Sequence, residues 1–97
     1  MDRRERIEAR LREAFAPLAL EVVDDSHRHR GHAGAASGGG HFRVRLVSER
    51  FRGVARIGRH RLVYDALGEA MRSDIHALEL DAKTPEEAER AGQGAQQ

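Results

Sequence analysis

Residues 41–48 read HFRVRLVS, and the reading of this octet decides the fold. Phe42, Val44 and Leu46 fall on one side of an extended chain and Arg43, Arg45 and Val47 on the other, the period of two of a strand with one buried face. Such a strand needs a partner and a cover. Upstream, Leu18, Leu20 and Val22 alternate with Ala19, Glu21 and Val23, so a strand precedes the octet and ends at Asp24, Asp25 and Ser26. Before it, Ile7, Leu11 and Phe15 recur at helical spacing with Ala14 beside them, Asp2 is placed to cap, and Pro17 closes the helix.

Downstream, Phe51 and Gly53 mark a turn, and Val54 and Ile57 begin a short helical stretch interrupted by Gly58. A further helix from about His60 to Arg72 is expected to bury Leu62, Val63, Ala66, Leu67 and Ala70. After Asp74, Ile75, Ala77, Leu78, Leu80 and Ala82 form a third strand whose alternation is less clean, as for a strand partly covered on both faces. Thr84, Pro85 and Glu87 then supply an N-cap, a first-position proline and a capping-box acid for a short final helix.

The order is α-β-β-α-α-β with a short C-terminal helix: an α+β fold with a three-stranded mixed sheet covered by helices. The first two strands pair antiparallel, and a right-handed crossover sets the third parallel to the second. Between the first two strands, residues 27–40 (HRHRGHAGAASGGG) hold five Gly and no large aliphatic side chain, which predicts a flexible His/Gly-rich loop. Residues 1–90 read as one domain and 91–97 as a frayed tail. A chain of 97 residues has room for one small core.

Composition removes several function classes. With no Cys there is no disulfide, thiol nucleophile or thiolate zinc finger, and soft-metal chemistry must use His. Apolar runs are far too short to cross a bilayer, and Asp2, Glu5 and Glu8 intrude on any leader-like start, so a cytoplasmic protein without membrane association is expected. No nucleophile stands with a credible base, no phosphate loop is present, and the adjacent Asp24 and Asp25 point to opposite faces of a strand. The chain is expected not to be an enzyme.

Charge is uneven beneath a net +1. Residues 41–61 carry seven Arg against Glu49 alone, whereas 62–97 carry eight acids and three bases. Such a belt suits an anionic partner. A helix-turn-helix around 56–72 could place Arg56, Arg59 and Arg61 on DNA phosphates or bases. Stacking on single strands is poorly served, because Phe15, Phe42, Phe51 and Tyr64 are the only aromatics and at least three sit on apparent core faces. The element order resembles a type II K-homology fold, but Gly58, Arg59, His60 and Arg61 lack the second glycine of its clamp, and Gly31 to Gly34 spell that motif in the wrong loop.

Six His is a high density for this length, and His27, His29 and His32 lie in one Gly-rich loop. Imidazole is a common metal ligand, yet a loop alone makes a poor site, and His76 at the start of the third strand is the candidate on a rigid element. His27 and His29 read as solvated loop residues before they read as ligands, whereas for His32 the two readings balance. His41 can hydrogen-bond across the sheet, and His60 belongs to a basic helix entrance.

Together LEVVDDS (20–26), HFRVRLVS (41–48), FRG (51–53), RHRLV (59–63), IHALEL (75–80) and Thr84-Pro85 resemble the BolA family, over nearly the whole chain. The resemblance implies the family's α+β fold and a partner function. BolA-like proteins bind monothiol glutaredoxins and share a [2Fe–2S] cluster with them and with glutathione, in cluster trafficking or iron sensing, and members are also associated with DNA binding and transcription regulation. The family's last-strand histidine maps onto His76. Its loop ligand maps onto His32, preferred, with His29 as the alternative. No cluster is expected to stay tightly bound to the isolated chain, which is expected to be a monomer or weak dimer.

Overall fold

Capping chemistry sets the first helix. The Asp2 carboxylate accepts from the Glu5 N–H at 2.8 Å, and the Glu5 carboxylate accepts from the Asp2 N–H at 3.1 Å, a reciprocal box that starts α1 (Arg3–Phe15). Ala16 ends it in the left-handed region at φ 43°, donating to the Arg12 carbonyl at 3.0 Å, and Pro17 blocks continuation. The computed structural model describes residues 1–26 and 40–95, so His27, His29, His32 and the last two residues of the tail lie outside the described residues.

Strand β1 (Ala19–Asp24) pairs antiparallel with β2 (Gly40–Val47), and β3 (Ile75–Lys83) pairs parallel with β2, giving the order β1-β2-β3. The mixed sheet is the one expected from the sequence. Gly40, expected to be the last residue of the loop, is instead the buried first residue of β2. A Cβ there would lie 2.7 Å from both Phe42 Cε2 and Ser26 Oγ. Leu18 also departs from expectation: its N–H donates to the Val47 carbonyl at 2.9 Å, but its side chain is 66% exposed because it precedes the strand proper.

Phe42, Val44 and Leu46 are buried as their alternation requires, against Ile7, Leu11 and Phe15 of α1 and against Val63 and Leu67. Phe15 and Phe51 meet at 5.1 Å between ring centres, closing the core beneath a short 3-10 turn at Glu49–Phe51. Buried Ser48 fastens that corner, donating to the Phe15 carbonyl at 2.8 Å and accepting from the Arg50 N–H at 3.1 Å.

The middle helices are divided differently from the sequence reading. Helix α2 runs Arg56–Leu67 straight through Gly58, and the break falls at Gly68, whose φ of 54° is left-handed. Within a helix a glycine costs only about 1 kcal/mol, which packing overrides. At Gly58 the missing Cβ relieves a contact of 2.9 Å with Val54 Cγ1. Helix α3 (Ala70–Ser73) is then a single turn, and Leu62, expected in the buried stripe, is 41% exposed. A final capping box, with the Thr84 hydroxyl accepting from the Glu87 N–H and the Glu87 carboxylate from the Thr84 N–H, starts α4 (Pro85–Ala95). This helix continues past Ala91, where a frayed tail was expected to begin.

Candidate metal-ligand site at the end of the sheet

The start of β3 breaks register. Gly40 lies opposite Ile75, but His41 lies opposite Ala77, so His76 is an extra residue bulged between the two pairs. Strict alternation back from Leu78, Leu80 and Ala82, which pack on the core, would place His76 inside and Ile75 outside. The bulge inverts this: Ile75 is buried at 7% exposure and His76 is exposed. The blurred alternation of β3 therefore owes much to a register shift, rather than only to cover on both faces.

The turned-out imidazole does not stand alone. The ring centre of His41 lies 5.2 Å from that of His76. Sequence reasoning gave His41 only a cross-sheet role, and the signal that joins the two rings is a between-strand shift that neither strand shows by itself.

Both strands are held firmly at this end. The His41 N–H donates to Ser26 Oγ at 3.1 Å, the Asp25 N–H to the His41 carbonyl at 2.7 Å, and the Gly40 N–H to the Asp74 carbonyl at 3.0 Å. Asp74 in turn pairs with Arg6 of α1 at 3.4 Å. Ser26 and Gly40, the described residues on either side of 27–39, both adjoin His41. Among the described residues no three His, Asp or Glu side chains are grouped to hold a metal.

The basic belt of 41–61 is largely spent within the fold. Arg43 pairs with Asp25 at 3.1 Å, Arg45 lies within 4.0 Å of Glu21 and Asp81, and Arg52 bonds Glu86 at 2.5 Å. Arg59, expected to face DNA, turns inward. Its guanidinium donates to the Val54 carbonyl at 2.7 Å, the Ala82 carbonyl at 3.0 Å and the Glu87 carboxylate at 2.5 Å, and sits 5.9 Å from the Phe51 ring centre. Among the described residues, Arg56 and Arg61 alone of the seven make no side-chain hydrogen bond or ion pair, and both are exposed. The region 56–72 is also not a pair of comparable helices, since α3 has four residues.

Comparison with known proteins agrees with this architecture. The family model described as BolA-like protein matches residues 11–87. The chain is 50% identical over 86 residues to the DNA-binding transcriptional regulator BolA of Escherichia coli, covering 89% of this chain and 79% of that protein. It is 46% identical over 79 residues to BolA-like protein 1 of Mus musculus, covering 81% of this chain but 56% of the mouse protein. Among solved structures, the BolA domain of SufE1 from Arabidopsis thaliana superposes with a TM-score of 0.79 at 42% identity, covering 90% of this chain and 96% of that one.

Proposed function

This chain belongs to the BolA family, and from that premise we propose that it is a non-enzymatic adaptor that binds a monothiol glutaredoxin and co-ligates a shared [2Fe–2S] cluster through His76. The observation that carries the reading is the bulge that turns His76 out of the core at the firmly held end of the sheet. A bulge costs regular pairing, and placing a polar ring where a second molecule can reach it is a recurrent reason for one.

The cluster is cargo here, written with thiolates from the glutaredoxin and glutathione and a second imidazole from His32, with His29 as its alternative. Imidazole on one iron raises a cluster's potential relative to thiolate, and it ligates only while unprotonated, so such a cluster is held less firmly as pH falls. Those properties suit trafficking or sensing in the cytoplasm better than storage. The test is reconstitution with a monothiol glutaredoxin, glutathione, iron and sulfide. Co-elution of both proteins with a visible spectrum distinct from that of glutaredoxin alone supports the reading. Separate elution with an unchanged spectrum refutes it.

A second reading is favoured by the exposed, unpaired Arg56 and Arg61 on α2 and by the similarity to the DNA-binding transcriptional regulator of Escherichia coli. In it the chain binds DNA through these two residues, while Arg59 serves the fold. Paired substitution of Arg56 and Arg61 by Ala should then weaken DNA binding and flatten its salt dependence by about one unit per lost phosphate contact.

A further inference from the structure

The proposed function uses one imidazole at the end of the sheet, but the structure presents two. The rings of His41 and His76 are centred 5.2 Å apart with planes inclined at 47°, which is neither stacked nor edge-to-face. An ion that bonds one nitrogen of each of two imidazoles at about 2.0–2.1 Å in tetrahedral geometry holds the ring centres roughly 5 Å apart. The observed spacing matches the one a shared ion requires. Beside it lies a shallow depression of about 160 Å³ lined by Asp25, His41, Arg43, Ala77 and Glu79.

We infer that His41 and His76 form a bidentate, open site for one borderline divalent cation, Zn²⁺, Ni²⁺ or Cu²⁺, bound by the chain without iron, sulfide or a partner protein. Imidazole donors with no thiolate suit these ions. The backbone under His41 is fixed by its bonds to Ser26 and Asp25, and the neighbouring Gly40 is bonded to Asp74, which leaves less to order when the ion arrives. A metal-bound imidazole keeps its second nitrogen for a hydrogen bond, so other contacts of either ring are compatible with ligation. With two protein ligands, the remaining positions fall to water or to an incoming molecule, and the ion is exchangeable.

The test needs only the full chain and a metal salt, so its failure and that of the cluster reading are separate results. Calorimetric titration with Ni²⁺ should give one ion per chain. His41→Ala and His76→Ala should each weaken binding by at least about tenfold, the cost expected when a site of few ligands is disturbed. His60→Ala, and a triple His27→Ala, His29→Ala, His32→Ala variant, should leave it unchanged. Should a single variant lose its fold by circular dichroism, substoichiometric Cu²⁺ on the unaltered chain gives the same answer, by broadening the NMR ring signals of His41 and His76 before those of His60. Equal binding by both single variants, loss confined to the loop variant, or earlier broadening of His60 would overturn the site.

Discussion

Arg59 carries a charge that the fold consumes. Two backbone carbonyls and the Glu87 carboxylate accept from its guanidinium, and its side chain is only 13% exposed, so it joins the start of α2 to the junction of β3 and α4. Arg59→Ala should lower stability by about 1–3 kcal/mol, mostly through carbonyls left without their charged donor. Arg56→Ala and Arg61→Ala should each stay within about 0.5 kcal/mol, as surface changes do. Urea denaturation of the three variants measures this ordering. The sequence displays seven arginines along the belt, but nothing in it says which have partners, because most partners lie on other elements, for Arg59 on β3 and α4 more than twenty residues away. His41 escaped notice for a similar reason: its neighbour His76 is reached only across strands.

At the scale of elements, local pattern was legible wherever one face alone decides burial. The octet 41–48, the Ile7, Leu11 and Phe15 stripe and the Thr84 capping box all stand as their spacing implies. The misplacement of the helix break shows the limit, since Gly58 and Gly68 are the same residue type and only Gly68 occupies a left-handed backbone. The bulge at His76 was hidden because an extra residue alters the partner of every position before it without altering the composition of the strand. Gly40 belongs to this scale too, for it lets β2 begin hard against Phe42 and Ser26. Gly40→Ala should destabilise by about 1–3 kcal/mol through overpacking, read as a lowered denaturation midpoint with the slope unchanged.

At the scale of the whole molecule, the Glu87 carboxylate couples folding to acid. The Arg59 guanidinium, followed by the Thr84 backbone N–H, holds the Glu87 carboxyl down from 4.5 to about 2. Its folded-state pKa is lowered, so the stability it contributes is complete above the ordinary carboxylate range and drains away as pH falls from about 4.5 toward 2. Glu87→Gln should therefore give a shallower loss of melting temperature across that interval, with the two proteins converging at its acid end. That connection of α2, β3 and α4 lies at the C-terminal end of β3, and His41 and His76 lie at the opposite end of the sheet. In the proposed function His76 is a ligand offered from a rigid frame. The most direct test is visible circular dichroism of the unaltered chain and of His76→Ala, each reconstituted with a monothiol glutaredoxin, glutathione, iron and sulfide. A distinct cluster spectrum that is lost in His76→Ala, while its far-ultraviolet spectrum stays the same, is the predicted result, and an identical cluster spectrum from the two proteins would contradict the account.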